Sequence, residues 1–144
     1  MSRTLAIIKP DATGSGKAGK ILAHLEAGGF TVQALKLVWL TGSQAEEFYA
    51  VHRERPFYGE LVEFMTSGPC IPMVLDAEDA VVALRVAIGA TDPAEADEGT
   101  VRRLYAESKG RNAIHASDSD DNARREIGFF FSESELLSVG AGLR

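Results

Sequence analysis

Apolar residues along the chain fall first into short continuous runs, which predict strands. The runs are rich in β-branched and aromatic residues and are bounded by turn signals such as Thr41-Gly42-Ser43. The first strand is expected to be mostly buried and to end at Pro10, which cannot donate to a sheet ladder; the second is expected to be long. The predicted strands cover 4–10, 30–40, 70–75 and 113–116.

Between the runs, apolar residues recur at helical spacing and predict helices. The first helix begins near Ala18 and is closed by Gly28-Gly29. Ser43 is expected to cap the second helix, with Glu46 completing a capping box, and a further helix is expected over 78–88. The third helix carries an apolar stripe at helical spacing, which is typical of core packing and consists of Phe57, Leu61, Phe64 and Met65.

A last helix is expected after the fourth strand, because its first turn is acidic, as the helix dipole favours. Glu126 is expected on the surface of this helix, away from the buried side. The tail over 132–144 is expected to form a short amphipathic turn and then loose coil. The expected buried side consists of Ala123, Ile127, Phe130 and Phe131.

Helical and strand periodicity are lost over 89–111, where we expect a long connection with at most one helical turn near 100–105. Connections of this length within a compact domain are usually functional or disordered. Since this one carries Arg102 and Arg103 and leads to Asn112, a functional loop is favoured.

Strands that alternate with helices indicate an α+β fold on the ferredoxin-like βαββαβ plan. We expect an antiparallel sheet, the second and third strands paired, helices packed over one face, and a long loop before the fourth strand. The pattern alone does not give the strand order. A chain of 144 residues has the size of one domain, so we expect a single domain over 1–144.

Composition and net charge limit the cellular location and the kinds of ligand that fit this chain. With 45% hydrophobic and 25% charged residues, no apolar run near the length of a membrane span and no secretory leader, a cytoplasmic protein is expected. The net charge of −6 argues against specific nucleic-acid binding through a broad basic face, and cations that meet an anionic substrate should converge on one pocket. The single cysteine, Cys70, lies in an apolar run and is expected to be buried.

The segment Gly14-Ser15-Gly16-Lys17-Ala18-Gly19-Lys20 contains glycines and a lysine at the spacing of phosphate-binding loops. Its context does not fit. Ile21 follows the lysine where a P-loop has Ser or Thr, and three residues separate the strand from the first glycine. We therefore prefer a basic, glycine-rich entry to a helix.

The run Asn112-Ala113-Ile114-His115-Ala116-Ser117-Asp118 resembles the active-site signature of nucleoside diphosphate kinases, Asn-x-x-His-[Gly or Ala]-Ser-Asp. The resemblance continues at matching spacing over about 4–131 and includes the motif Ile8-Lys9-Pro10-Asp11. It implies the ferredoxin-like fold and transfer of a γ-phosphoryl group from a nucleoside triphosphate to a nucleoside diphosphate. An imidazole suits this chemistry, because it is a good nucleophile near pH 7.

The resemblance also implies roles for individual residues. His115 attacks phosphorus and becomes a phosphohistidine, which a second nucleotide discharges in a ping-pong cycle. Glu126 and Ser117 orient the imidazole, and Tyr49 places its hydroxyl near it and Lys9. The substrate-binding residues implied are Lys9 at the transferring phosphate, Arg85, Thr91 and Arg102 at the other phosphates, Asn112 at the sugar, and Phe57 with Leu61 at the base.

The resemblance further implies Mg²⁺ held mainly by the nucleotide phosphates, without a protein ligand cluster, and a homo-oligomer for which dimer, tetramer and hexamer all fit. Four positions or segments depart from the usual pattern: Ala116 stands for Gly, Asp92 for Asn and Arg103-Leu104 for Gly-Asp, and 13–20 diverges from the Arg-Gly-containing turn. All but Ala116 concern the long loop and the first helix. Two alternatives are a catalytically silent nucleotide-binding module and a plain oligomerising domain with an incidental His115.

Overall fold

Four antiparallel strands form one sheet in the computed structural model of the chain, which describes residues 1–136. The strands are β1 (Ser2–Ile8), β2 (Thr31–Leu35), β3 (Ile71–Ala77) and β4 (Ile114–Ala116). Their order is β2-β3-β1-β4, so that β1 lies between β3 and β4. The predicted pairing of the second and third strands is confirmed.

Helices pack on both faces of the sheet. Ala6 and Ile8 of β1 belong to one buried cluster, whereas Leu5 and Ile7 belong to the other. A strand covered on both faces is apolar throughout rather than alternating. The predicted α+β ferredoxin-like plan is confirmed, but the expectation that helices cover one face is wrong. The helices are α1 (Pro10–Gly14), α2 (Ala18–Ala27), α3 (Gly42–Phe48), α4 (Tyr58–Met65), α5 (Ala80–Ile88), α6 (Val101–Tyr105) and α7 (Asp120–Phe130).

The second strand is shorter than predicted. It ends at Leu35, after which an isolated bridge between Val38 and Cys70 continues the pairing. It lies at the edge of the sheet, and its register with β3 shifts between Val32 and Ala34. The predicted length of this strand, 30–40, was too great. It rested on the strand propensity of the residues, which gives no information about a register shift in an edge strand.

Two helix starts differ from the prediction. Pro10 ends β1 as expected but also begins α1, where a missing N–H is tolerated in the first turn. Thr41, not Ser43, caps α3: its hydroxyl accepts from the Gln44 amide and the Gln44 side chain accepts from the Thr41 amide. The capping box therefore lies two residues earlier than predicted, because the chain is still extended at Thr41.

The other helices are confirmed with shifted ends. Phe57 precedes α4 and is 47% exposed, whereas Met65 at its end is fully buried, so only part of the predicted stripe is core. On α5, Val82 and Val86 face outward, at 57% and 70% exposure. None of the helices within 1–136 is long and apolar enough to cross a membrane.

The end of the described chain agrees with its prediction. A short 3-10 turn covers Glu133–Glu135, and the coil expected beyond it falls on 137–144, outside the described residues. Cys70 is fully buried, as expected, and burial raises the pKa of its thiol to about 11.

The long connection before β4 contains the single predicted helical turn, α6. Its first residue, Gly89, has a φ of +87°, and a Cβ placed there would lie 2.6 Å from Thr100 Oγ1. The Gly89 carbonyl also accepts a hydrogen bond of 3.1 Å from the guanidinium of Arg102. This glycine therefore allows α5 and α6 to approach each other closely.

We predict that Gly89→Ala lowers the free energy of unfolding by about 1–3 kcal/mol for the backbone, whose positive φ with ψ of −179° is essentially restricted to glycine, and by roughly 1–3 kcal/mol more for the contact with Thr100. Gly99→Ala is the matched control, since Gly99 has a φ of +83° but open space around it. Denaturant unfolding of both variants measures the difference. Equal losses would show that the close approach at Gly89 has no energetic weight.

Candidate active site

The carboxyl end of β1 lies beside the start of β4, since Ile8 pairs with Ile114. This pairing brings Lys9 next to Asn112, and Lys9 Nζ donates a hydrogen bond of 2.9 Å to Asn112 Oδ1. Both side chains are buried. Two predicted binding residues from distant parts of the sequence thus form one buried polar pair.

His115 lies in the middle of β4, partly exposed, with its Nε2 at 2.7 Å from Glu126 Oε1. Ser117 Oγ donates to the same oxygen, also at 2.7 Å. Glu126 is only 6% exposed, so its expected surface position on α7 is wrong. Apolarity alone assigned the buried side of the helix, but a carboxylate with two hydrogen bonds is also stable there.

The hydrogen bonding of Glu126 decides the tautomer of His115. Burial raises the pKa of Glu126, but the hydrogen bond and charge of His115, the hydrogen bond from Ser117 and the charge of Arg125 set it below its usual value overall. The carboxylate is therefore ionised near neutral pH and can only accept hydrogen bonds. In the neutral imidazole, Nε2 carries the hydrogen, and Nδ1 keeps its lone pair.

Two aromatic rings hold the imidazole edge-on. The centroid of Phe48 lies 5.5 Å from that of His115, and the centroid of Tyr49 lies 6.2 Å from it. The Tyr49 hydroxyl is buried without a hydrogen-bond partner in the described part of the chain. Burial, with smaller effects of Cys70 and Glu126, raises its pKa strongly, so the phenol stays protonated and can donate.

A cavity of about 690 Å³, the size of a small-molecule site, opens between α4 and the loop before β4. Its apolar wall comes from α4 and its polar end from the residues near β1 and β4. It brings together five of the predicted binding residues: Lys9, Phe57, Leu61, Thr91 and Asn112.

Cations concentrate near the polar end of this cavity. Burial lowers the pKa of Lys9 to about 8, the charge of Arg102 lowers it as well, and Asp11 acts in the opposite direction. Burial and the charge of Arg85 lower the pKa of Arg102 to about 10. In a chain of net charge −6, this local excess of positive charge fits an anionic ligand.

The two arginines hold the backbone around β4. Arg102 donates to the carbonyls of Asn112, Gly89 and Ile114, at 3.4, 3.1 and 2.7 Å. Arg85 donates to the Ala116 carbonyl at 3.3 Å. Neither residue lines the cavity, so any contact with a phosphate comes in addition to these bonds.

The departures from the usual family pattern are accommodated. Ala116 pairs with Ala6 inside the sheet and is not among the residues with positive φ, so it carries no backbone penalty. Asp92 Oδ1 accepts from the Ala94 amide at 2.9 Å, as an Asn oxygen could. Arg103 donates to the Ala94 carbonyl.

Sequence reasoning missed several residues at the site. Phe48 received no role from the sequence, although it packs on His115. His52, which the sequence did not single out, lies between the rings of Tyr49 and Phe57. Four further side chains line the cavity: Glu60 and Phe64 follow Phe57 at helical spacing, whereas Lys109 and Arg111 belong to a loop without periodicity.

Two other features lie apart from this site. The glycine-rich segment 14–20 spans the end of α1 and the start of α2, and Lys20 is exposed and does not line the cavity, so its position does not support the P-loop alternative. A more open depression of about 880 Å³ between β1 and α7 contains none of the predicted site residues. Within 1–136, no group of three or more His, Cys, Asp or Glu side chains could hold a metal ion.

Known proteins resemble this chain closely. The family model for nucleoside diphosphate kinase matches residues 2–136. A nucleoside diphosphate kinase from Chlorobium limicola is 60% identical over 139 residues, which cover 96% of this chain and 99% of that protein. One from Persephonella marina is 50% identical over 137 residues, covering 95% and 98%.

Solved structures agree with the sequence relatives. A crystal structure of the Aquifex aeolicus nucleoside diphosphate kinase has a TM-score of 0.92 at 50% identity and covers 94% of this chain and 99% of that one. The structure of a halophilic nucleoside diphosphate kinase from Halobacterium salinarum, in complex with CDP, has a TM-score of 0.90 at 39% identity and covers 95% and 91%. The chain belongs to the nucleoside diphosphate kinase family.

Proposed function

We propose that this protein transfers the γ-phosphoryl group of a nucleoside triphosphate to a nucleoside diphosphate through a phosphohistidine on His115. The observation that carries this mechanism is the hydrogen bond from His115 Nε2 to the buried Glu126, because it leaves Nδ1 unprotonated and oriented. Nucleoside diphosphate kinase activity itself is the activity of the family, and the close relatives support it.

The reaction divides into two displacements at phosphorus. Nδ1 of His115 attacks the γ-phosphorus, the bond from phosphorus to the β–γ bridging oxygen breaks, and the nucleoside diphosphate leaves. A terminal oxygen of a second nucleoside diphosphate then attacks the same phosphorus, and the nitrogen–phosphorus bond breaks. As positive charge develops on the imidazole, the ionised Glu126 stabilises it through Nε2.

The surrounding residues supply positive charge and position. Lys9, buried at the polar end of the cavity, neutralises charge on the transferring group, and Tyr49 offers a free hydroxyl near the imidazole. Thr91, Arg85 and Arg102 hold the remaining phosphates. Asn112, which already bonds to Lys9, forms hydrogen bonds with the sugar hydroxyls. Phe57 stacks on the base, with Leu61 beneath it.

Mg²⁺ belongs to the substrate in this proposal. Members of the family typically depend on it, and the described residues lack a ligand cluster of their own, so the ion enters with the nucleotide phosphates and neutralises their charge. Nucleoside di- and triphosphates are the proposed partners, in keeping with the CDP bound to the Halobacterium salinarum protein. We also propose that the chain forms a single domain, that it assembles into a homo-oligomer and that it is located in the cytoplasm.

A silent nucleotide-binding module would need the cavity but not the catalytic geometry. The buried carboxylate of Glu126 argues against it, because burying a carboxylate is costly and the site positions it on a partly exposed imidazole. An oligomerising domain with an incidental His115 would require neither feature. The site geometry therefore favours an enzyme over both alternatives.

We predict that brief mixing with radiolabelled Mg·ATP, without an acceptor, labels the protein with phosphate that is acid-labile and alkali-stable, as a phosphoramidate is. His115→Gln should abolish the label. His24→Gln is the matched control, since His24 lies on α2 beside Tyr105, and it should label normally. Acid-stable label, or equal labelling of both variants, would contradict the mechanism.

We predict that Phe57→Ala weakens the binding of ATP, GTP, CTP and UTP together, by about 1–2 kcal/mol each, because a stacked ring contacts every base alike. Phosphotransfer from bound nucleotide should change little, since Phe57 packs against His52, whereas His115 packs against Phe48 and Tyr49. Steady-state kinetics with all four donors measure both effects.

Trp39→Ala is the control for this prediction, because Trp39 is an exposed aromatic residue, 64% accessible, that does not line the cavity. It should leave all four KM values unchanged. A loss confined to one base after Phe57→Ala would show base-specific recognition, and a reduced kcat with unchanged KM would show that the ring acts on the catalytic step and not on binding.

A further inference from the structure

Ala113 adopts an unusual backbone conformation between the two functional residues Asn112 and His115. Its φ is +74°, and the amide of Ile114 donates to the carbonyl of Asn112 at 2.9 Å, which closes a three-residue γ-turn. The γ-turn with positive φ is rare and strained, and a Cβ makes positive φ unfavourable. Since Ala113 is fully buried, the surrounding structure must hold it in place.

Residues just after β1 hold both polar backbone groups of Ala113. The Asp11 Oδ2 atom accepts from the Ala113 amide at 3.0 Å, and the Lys9 amide donates to the Ala113 carbonyl at 2.9 Å. Asp11 is 5% exposed and lies in the first turn of α1. Its other carboxyl oxygen, Oδ1, has no hydrogen-bond partner within 1–136. The bond to the Ala113 amide is therefore the hydrogen bond that this side chain makes in the described part of the chain.

The turn determines the relative positions of two groups that the proposed reaction needs. On its amino side, Asn112 receives the hydrogen bond from Lys9; on its carboxyl side, β4 begins and presents His115 to Glu126. An ordinary backbone at Ala113 would rotate one group relative to the other. Misplacement of reacting groups by about 1 Å can cost a hundredfold in rate.

We propose that Asp11 is a positioning residue for phosphoryl transfer, whose carboxylate fixes the left-handed turn at Ala113 and thereby sets Asn112 and His115 around Lys9. This inference rests on the proposed function, because it assigns Asp11 to the same reaction. Asp11 does not touch the reacting atoms in this role and acts through the backbone of the turn.

The charge of Asp11 provides a second, separable effect. The groups that act on Lys9 are Arg102, which lowers its pKa, and Asp11, which raises it; Glu60, Lys109 and Arg111 line the same cavity. Removing the carboxylate therefore lowers the pKa of Lys9 below about 8. Because Lys9 acts as a cation, activity that is lost as the pH rises through this pKa would be lost at a lower pH.

The test compares Asp11→Ala, Asp11→Asn and the double variant Asp11→Ala/Ala113→Gly, with kcat, KM and pH profiles measured on each. Asp11→Ala should lower kcat by roughly ten- to hundredfold, because the turn relaxes. Asp11→Asn keeps an acceptor oxygen and should lose much less. Glycine adopts positive φ at little cost, so the double variant should recover most of kcat at pH 7.

The pH profile separates position from charge. All three variants lack the carboxylate, so each should lose activity at lower pH than the wild type, including the double variant that recovers kcat. Asp79→Gly is the matched control for the rescue, since Asp79 has a φ of +49° far from the turn. Combined with Asp11→Ala, it can restore stability but should not restore kcat.

Two results would overturn the inference: Asp79→Gly rescuing kcat as well as Ala113→Gly does, which would indicate a general effect on stability, or a folded Asp11→Ala variant with wild-type kcat and pH profile. Thermal unfolding of each variant establishes that it is folded. Phosphohistidine labelling of the wild type keeps the two proposals apart. An unlabelled wild type contradicts the proposed function, whereas a labelled wild type with insensitive Asp11 variants contradicts this inference alone.

Discussion

The hydrogen bond between His115 and Glu126 is the interaction on which the proposed chemistry of this site depends. An isolated imidazole can react through either nitrogen, and a buried carboxylate is unfavourable unless it is fully bonded. Together they resolve both problems: Glu126 is satisfied by His115 and Ser117, and the neutral imidazole is left with its lone pair on Nδ1. The buried side of α7 can therefore carry a carboxylate, because His115 and Ser117 both bond to it.

Strand pairing brings the remaining groups near His115 and Glu126. The antiparallel pairing of β1 with β4 places Lys9 beside Asn112. Arg102 donates to the carbonyls on both sides of Ala113, those of Asn112 and Ile114. Lys9 therefore brings positive charge to the cavity, with Arg102 near it outside the lining, although the chain as a whole is acidic. A local positive field of this kind attracts polyphosphates without making the surface broadly basic.

Much of this arrangement could be predicted from the sequence, and the exceptions have physical causes. Apolar runs located the sheet and the helices, because these depend on periodicity and residue type, whereas the predicted cavity residues came from the resemblance to nucleoside diphosphate kinases. The burial of Glu126 was missed, since periodicity treats every carboxylate as solvated. The left-handed turn at Ala113 was missed as well, because alanine gives no sign of positive φ and only the distant Asp11 reveals it.

The central claim is that the hydrogen bond from Nε2 to Glu126 leaves Nδ1 as the nitrogen of His115 that accepts the phosphoryl group. The most direct measurement is NMR of the phosphorylated protein, with ¹⁵N-labelled histidine and phosphorus detection, which identifies the nitrogen that carries the phosphoryl group. The account predicts phosphorus on Nδ1 and a hydrogen on Nε2 that is protected by Glu126. Phosphorus bound to Nε2 would contradict it, because that nitrogen donates the 2.7 Å hydrogen bond on which the site is built.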